Sequence, residues 1–177
     1  IPGYLLYQPE TSDIDRAMRS CMQSDPPAPA EQEPPANVLV VDDDEAIRGL
    51  VSKYLQHHGH RVEALPDGAG VARSLEQPFD VVLLEVSLPG EDGLKLLDRI
   101  TETRPELAVV MLTALNSAEN IVDAMRRGAF DYLSKPIDMQ RLAIVVRNAA
   151  QQTRLRLESD GLRAAMMRDD GGPDLIC

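Results

Sequence analysis

Acidic, hydroxyl and amino side chains stand after four different apolar runs of this sequence. Asp42 and Asp43 follow VLVV, Glu85 follows VVLL, Thr113 follows AVVML, and Lys135 comes shortly after FDYL. Carboxylates held close together repel one another, and a hard cation such as Mg²⁺ relieves that repulsion through oxygen ligands. A lysine and a hydroxyl group suit the oxygens of a phosphoryl group. The residue types therefore predict an acidic Mg²⁺ pocket that receives a phosphoryl group.

The apolar runs predict five short strands, and the amphipathic stretches predict five helices that alternate with them. The predicted strands are residues 38–41, 61–65, 81–84, 108–112 and 130–133. The predicted helices are residues 45–57, 69–76, 93–103, 118–127 and 139–152. Strict alternation of strand and helix predicts an α/β fold in which a five-stranded parallel sheet carries helices on both faces.

The carboxyl ends of the predicted strands are where these side chains would meet, because open parallel sheets bind ligands outside those ends. If the strand order is 2-1-3-4-5, the first and third strands are neighbours and Asp42 and Asp43 lie beside Glu85. Each residue also has an ordinary structural explanation. Acidic runs suit helix N-termini, threonine often ends strands, and Lys-Pro pairs usually lie in loops. The combination is the stronger signal, because each group follows a different strand.

Composition limits the classes of function open to the chain. Its 177 residues include 18 Lys and Arg against 29 Asp and Glu, a formal net charge of -11. That balance offers no broad cationic surface for nucleic acid or anionic lipid, so we expect neither nucleic acid nor membrane binding. No apolar run approaches the ~20 residues that cross a bilayer. Cys21 and Cys177 lack metal-ligand or disulfide spacing, so we expect a soluble cytoplasmic protein with two free thiols.

Composition also divides the chain into segments. Residues 1–24 form an N-terminal extension of unknown role, and the proline-rich run DPPAPAEQEPPAN predicts a semi-rigid linker at 25–37. Residues 38–153 hold the predicted strands and helices of one folded domain, and 154–177 are expected to form a helical linker or tail. The cluster of His57, His58 and His60 is interpreted as an exposed turn, because no cysteine or fourth ligand lies near it in the sequence.

The motifs VLVVDDDEAIR, FDVVLLEVSLPGEDGL, VVMLTA and GAFDYLSKPID occur in the order typical of one known family. Over residues 38–153 the chain resembles the receiver domains of two-component response regulators, most of all those attached to AAA+ transcriptional activators. The resemblance implies a flavodoxin-like three-layer sandwich with strand order 2-1-3-4-5. It also implies a Mg²⁺-dependent receiver module rather than an enzyme, one that takes part in a phosphorelay and controls an output domain.

The resemblance implies a role for each residue that matches a motif. Asp42 and Asp43 match the metal-site acids, and Glu85 stands beside them at the phosphoacceptor position. The backbone carbonyl of Ser87 matches a further metal ligand. The other matches are Thr113 as the switch hydroxyl, Tyr132 as the switch aromatic, Lys135 as the phosphate-contacting lysine before a cis bond to Pro136, and Asp44 as a helix-start residue rather than a ligand.

Glu85 departs from the family's pattern, because the phosphoacceptor is ordinarily aspartate. The extra methylene moves the carboxylate by about a bond length, and a displacement of about 1 Å can cost about 10²-fold where in-line positioning matters. Glutamate can instead imitate a phosphorylated aspartate, which carries more charge and more acceptor oxygens. We therefore expect a receiver biased toward its active state, or uncoupled from kinases. The competing interpretation is that Glu85 only pairs with Lys135 and leaves an inactive scaffold.

The resemblance also implies partners. These are an output domain in the same parent chain, a sensor histidine kinase, and a second copy bound through the fourth helix, fifth strand and fifth helix. Two other functions stay open. The proline-rich linker also suits the C-terminal receiver of a hybrid histidine kinase. Haloacid-dehalogenase-type phosphatases use a similar set, for which Asp42, Asp44, Thr113 and Lys135 would serve, although the sequence lacks their later paired acids and cap insertion.

Overall fold

The computed structural model describes residues 34–114 and 118–169. Within them, five parallel strands form one sheet with helices packed on both faces. The strands of this sheet are β1 (Asn37–Val41), β2 (Arg61–Leu65), β3 (Val81–Glu85), β6 (Ala108–Thr113) and β7 (Asp131–Ser134). Two short strands, β4 (Ser87–Leu88) and β5 (Glu91–Asp92), pair as an antiparallel hairpin. The helices are α1 (Glu45–His57), α2 (Val71–Ser74), α3 (Gly93–Thr103), α4 (Ala118–Arg126) and α5 (Met139–Asp169).

The sheet has the strand order β2-β1-β3-β6-β7. When the two hairpin strands are left out of the count, this is the order 2-1-3-4-5, so the flavodoxin-like prediction is confirmed. The strand order reverses between β1 and β3, since the chain moves from β1 to β2 on one side and from β3 to β6 on the other. The carboxyl ends of β1 and β3 therefore flank the point where folds of this kind open a binding crevice.

The core consists of two apolar layers, one on each face of the sheet. Alternate residues of a strand point to opposite faces, so Val38 and Val40 pack on one side of β1 whereas Leu39 and Val41 pack on the other. Helices α1 and α5 cover the first face, and α2, α3 and α4 cover the second. The result is a three-layer α/β/α sandwich whose ends, rather than its faces, are open to ligands.

Helix α5 has two parts that pack differently. Leu142, Val146 and Ala149 are buried against the sheet, and the hydroxyl-bearing Thr153 is also fully buried. Beyond Thr153 the helix continues to Asp169, and there Leu155 is 55% exposed and Leu162 is 64% exposed. The first part agrees with the predicted helix 139–152. The second part continues the same helix through residues 154–169, which is most of the segment that was expected to form a helical linker or tail.

One helix differs in length from the sequence predictions, and two strand segments add detail to them. Helix α2 is shorter than the predicted 69–76, because single turns rather than continuous helix bring the chain in and out of it, with Val71 N donating to Gly68 O and Gln77 N to Ser74 O. Strand β2 is partly exposed, which fits the edge position that the predicted strand order gives it. The segment after β3 contains the short β4–β5 hairpin, for which no strand was predicted.

Several predictions fall on residues outside the described ranges, which leave out 1–33, 115–117 and 170–177. These are the N-terminal extension 1–24, most of the proline-rich linker, and both cysteines. Within the described ranges, no helix is both long enough and apolar enough to pass through a bilayer.

Candidate functional site

The strand register brings the predicted site residues to one end of the sheet. Val41 lies opposite Leu84, so the next residues along the two strands, Asp42 and Glu85, leave the sheet side by side. On the other side of β3, Glu85 lies opposite Leu112, the residue directly before Thr113 in β6. Backbone pairing then continues to the last strand, where Lys135 N donates to Thr113 O at 2.9 Å.

A buried ion cluster joins the ends of three strands. The Nζ atom of Lys135 lies 2.7 Å from Oδ2 of Asp42 and also forms an ion pair with Oε2 of Glu85. Asp42 is 0% exposed and Glu85 is 4% exposed. The sequence predicted that acidic side chains after the first and third strands would meet the lysine after the fifth, and the structure shows that convergence.

Lys135 stays charged in spite of its burial. Desolvation would lower the pKa of its ammonium group, but the hydrogen bonds and the attraction from Asp42 and Glu85 outweigh that effect and raise the pKa above its ordinary value. The cluster therefore places one ammonium group between two acidic side chains, Asp42 and Glu85, which is a formal excess of one negative charge. An unbalanced charge in a buried place costs folding free energy.

Backbone amides hold the remaining carboxylate oxygens of the cluster. Oδ1 of Asp42 accepts a hydrogen bond from Asp44 N at 2.9 Å, and Oε1 of Glu85 accepts one from Ser87 N at 3.1 Å. Oδ2 of Asp42 has no hydrogen-bond partner of good geometry among the described residues apart from its ion contact with Lys135. Each acid is thus engaged through both of its oxygens, because one accepts from a backbone amide and the other pairs with Lys135.

Asp44 begins α1, as predicted. Its carboxylate accepts from Ala46 N at 2.9 Å and from Ile47 N at 3.2 Å, which satisfies two amides at the helix start. Asp43, the next residue toward the strand, is exposed at the rim of the crevice. The three adjacent aspartates therefore have three different environments: one is buried in the ion cluster, one faces solvent, and one caps a helix.

Two further residues position the acids, and sequence reasoning did not assign that role to either of them. Arg48 extends from the first turn of α1, and its Nη1 donates to the backbone carbonyls of Asp42 at 2.7 Å and Asp43 at 3.3 Å. Gly93 begins α3 against the end of β3, where an added Cβ would lie 2.1 Å from the backbone oxygen of Glu85. The spacing DDDEAIR was the available signal for Arg48, because a residue four positions into a helix can fold back over its first turn.

The residues that match the family's switch lie next to the ion cluster. Thr113 is buried at the end of β6. Tyr132 is half-buried in β7, and the guanidinium group of Arg141 lies 5.5 Å from the centre of its ring, within cation–π range. The Lys135–Pro136 bond is cis, as the resemblance implied. The switch roles of Thr113 and Tyr132 stay predictions, since the structure describes one arrangement of them.

The donor set fits a hard divalent cation only in part. Among residues 34–114 and 118–169, no three His, Cys, Asp or Glu side chains are grouped closely enough to hold a metal ion. Mg²⁺ keeps several waters and often needs only one or two protein carboxylates, and the exposed Asp43 directly after the buried Asp42 meets that lower requirement. The assignment of Asp42, Asp43, Glu85 and the Ser87 carbonyl as metal ligands stays a prediction.

A doubly wound sheet with buried acids and one lysine at its switch point has the arrangement of a signalling receiver domain. A family model described as "Response regulator receiver domain" matches residues 38–147, which is more than half of the chain. The chain therefore belongs to the response regulator receiver domain family.

NtrC and NtrX regulators are among the proteins that the chain is similar to. The chain is 36% identical over 140 residues to the DNA-binding transcriptional regulator NtrC of Azospirillum brasilense, an alignment that covers 78% of this chain and 28% of that protein. Among solved structures, NtrX from Brucella abortus in complex with ADP is 37% identical with a TM-score of 0.68, over 73% of this chain and 30% of that one. The isolated receiver domain of the same NtrX is 38% identical with a TM-score of 0.61, over 64% of this chain and 98% of that one. The chain spans less than a third of the full-length NtrC relative.

Proposed function

We propose that this receiver domain signals independently of phosphorylation, because the permanent carboxylate of Glu85 takes the place of the transferable phosphoryl group. The observation that carries the proposal is the ion pair of Lys135 with both Glu85 and Asp42. In the family that the chain belongs to, the corresponding lysine contacts the phosphoryl oxygens. Here a side chain of the protein itself supplies the anion.

Phosphorylation of Glu85 is disfavoured by the contacts that it already makes. One carboxylate oxygen pairs with Lys135 and the other accepts from Ser87 N. A nucleophilic oxygen would have to leave one of these partners and still line up with the phosphorus atom from a side chain that is about a bond length too long. Misplacement of about 1 Å can lower such a rate by about 10²-fold.

Imitation of the phosphorylated state is supported by where the charge lies. Glu85 is almost fully buried, so its negative charge acts through a medium that screens it weakly. Lys135 is joined to Thr113 through its backbone amide, and Tyr132 lies in the same strand that leads to the lysine. A fixed anion at Glu85 therefore acts on the lysine that follows the strand of the switch aromatic.

Mg²⁺ is the cation that we assign to this site. Asp42, Asp43 and the backbone carbonyl of Ser87 would hold it together with water, and Glu85 lies within the same group of acids. When bound, the cation would neutralise the excess negative charge and the oxygens of an incoming phosphoryl group. The protein's own residues contribute the remainder: Asp42 and Glu85 orient Lys135, and Asp44 and Arg48 fix the loop that carries the acids.

The partner that we propose is a transcriptional output domain in the same parent chain. NtrC of A. brasilense is described as a DNA-binding transcriptional regulator, and the present chain matches only 28% of it. A second copy would bind through α4, β7 and α5, where Val122, Met125 and Ile144 are 49%, 44% and 52% exposed. A sensor histidine kinase is the partner that the family implies for such a cytoplasmic receiver, although Glu85 removes the need for phosphorylation by a kinase.

Labelling by a small acyl phosphate in the presence of Mg²⁺ tests the proposal. Intact-mass spectrometry should show labelling of the wild-type chain that is slower by about 10²-fold than labelling of Glu85→Asp. The matched control is Glu45→Asp, which makes the same chemical change at an exposed position in α1. Labelling of the wild-type chain at Glu85, at the rate of the Glu85→Asp variant, would overturn the proposal.

A further inference from the structure

A second group of charged and polar residues lies at the amino end of the sheet, opposite the candidate site. Its centre is Asp80, the residue directly before β3. We propose that this group is a latch that couples the segment entering the domain to the helix leaving it. The latch consists of Asp80, Thr153 and Arg154 together with the backbone of residues 34–37.

Thr153 is the inner part of the latch. Its hydroxyl group is fully buried, donates to the backbone carbonyl of Asp80 at 2.7 Å, and accepts from Ala108 N at 2.9 Å. A single side chain of α5 thus joins the starts of β3 and β6. The helix cannot rotate or slide at this point without leaving a buried backbone amide without a partner, which is costly.

Arg154 is the outer part of the latch, and it contacts both Asp80 and the segment that enters the domain. Its Nε lies 3.2 Å from Oδ1 of Asp80, and its Nη2 donates to Pro35 O at 2.9 Å and contacts Pro34 O at 3.5 Å. The planar guanidinium group has enough donors to hold a carboxylate and two carbonyls at once, which the ammonium group of a lysine does not match in geometry. One side chain therefore joins the leaving helix to the entering segment.

The entering segment also makes hydrogen bonds through Ala36 and Asn37, the residues that follow the two prolines. Asn37 N donates to Oδ2 of Asp80 at 2.8 Å, so the same carboxylate serves Asn37 and Arg154. Ala36 N donates to Nδ1 of His60 at 3.1 Å, which requires that this ring nitrogen be unprotonated. Burial lowers the pKa of His60, and the charges of His58 and Arg154 lower it further. The charge of Asp80 raises the pKa but does not outweigh these effects, so the ring stays in that neutral form.

The sharing of Asp80 is what makes the two ends interdependent. Release of residues 34–37 would remove the Pro34 and Pro35 carbonyls from Arg154, and release of Arg154 would leave the carboxylate of Asp80 to Asn37 alone. Residues 154–168 of the helix include no buried residue, so its direction depends on this junction together with a hydrogen bond from Arg156 Nη1 to Pro105 O at 3.1 Å. The latch makes the exposed half of α5 a rigid arm while the entering segment is bound. This inference does not depend on the role of Glu85.

Amide hydrogen exchange on the full chain tests the coupling from both ends. Arg154→Ala should raise the exchange rate of the Ala36 and Asn37 amides by about tenfold, although neither residue is near it in sequence. His60→Leu, which removes the acceptor of Ala36 N, should in turn speed exchange in residues 154–160 by a similar factor, because coupling between two sites is reciprocal. Exchange at Val82 and Leu83 in the buried strand corrects for any change in global stability.

Two further variants separate the latch from a general loss of helix. Arg163→Ala removes an exposed arginine whose ion-pair partner among the described residues is Asp160 of the same helix, and should leave Ala36 and Asn37 unchanged. Arg154→Lys keeps the charge beside Asp80 and should recover only part of the protection. If Arg154→Ala speeds exchange in residues 154–160 alone, or His60→Leu affects residues 34–37 alone, the two ends are independent and the proposal is wrong.

Discussion

Each end of β3 carries a cluster of polar and charged side chains, and the two clusters differ in their balance of charge. At the carboxyl end, Lys135 lies between the buried carboxylates of Asp42 and Glu85, and the cluster keeps an excess negative charge. At the amino end, one carboxylate, Asp80, faces one guanidinium group, Arg154, and backbone groups complete the bonding.

The difference separates a site built for chemistry from a joint built for position. The amino-end cluster costs little folding free energy, because its charges balance and backbone groups complete its hydrogen bonds. This is expected for a structural joint. Unbalanced buried charge at the carboxyl end costs folding free energy. Such a cost is typical of places where a ligand or a signal completes the charge balance.

The largest effect that would sharpen this comparison is expected from Lys135→Ala. The substitution leaves two buried carboxylates facing each other without their cation, and should lower the free energy of unfolding by about 3 kcal/mol. Urea denaturation measures the loss, and Lys53→Ala on the exposed side of α1 is the control. Millimolar Mg²⁺ should restore part of the stability of Lys135→Ala, since a divalent cation can replace the lost charge. A variant as stable as the wild-type chain would show that the ammonium group does not hold the two acids.

A smaller loss is expected from Gly93→Ala, which tests how tightly the carboxyl end is built. The new Cβ would meet the backbone oxygens of Glu85 at 2.1 Å and Val86 at 2.8 Å, and neither can move without disturbing the strand end. Thermal or urea unfolding should show a loss of about 2 kcal/mol, as for other overpacked sites. Gly161→Ala is the matched control, because nothing lies within 4 Å of its Cβ and alanine suits an exposed helix. Equal behaviour of the two variants would refute the tight contact at Glu85.

The smallest effect concerns the amino-end joint and its pH dependence. The pKa of His60 is lowered in the folded protein, chiefly by burial, so the unfolded chain binds more protons than the folded one just below its unperturbed pKa of about 6.5. Stability from this residue is therefore fully present above about pH 6.5 and is lost as the pH falls through the lowered folded value. The groups that face the ring are His58, Arg154 and Asp80.

Urea midpoints measured between pH 7.5 and 5.5 test this dependence. His60→Leu should show a shallower decline with falling pH than the wild-type chain, because the residue that titrates is gone. Identical pH profiles for the two chains would mean that the bond from Ala36 N does not depend on a neutral imidazole ring.

The strands and the residues of the ion cluster were predictable from local patterns in the sequence, whereas the order of the strands was predicted from the resemblance to the receiver family. Apolar runs such as VVLLE define strands by themselves, and parallel pairing brings their carboxyl ends together. The place of Lys135 between Asp42 and Glu85 follows once the sheet order is known.

Other features depend on distant contacts and were not predictable. The hydroxyl group of Thr153 bonds to a residue 73 positions away, and Arg154 bonds to carbonyls 119 and 120 positions away, which no local pattern shows. The length of α5 beyond Thr153 was also uncertain from the sequence, since that part has no buried face to create a strong period.

The central claim is that Glu85 holds the domain in the state that a phosphorylated aspartate would produce. Backbone NMR shifts of Thr113, Tyr132 and Lys135 test it most directly when three samples are compared: the wild-type chain, Glu85→Asp, and Glu85→Asp treated with an acyl phosphate and Mg²⁺. The account predicts that the wild-type shifts coincide with those of phosphorylated Glu85→Asp and do not change when the donor is added. Wild-type shifts that coincide with those of untreated Glu85→Asp would contradict it, and would identify Glu85 as a residue that silences the pocket.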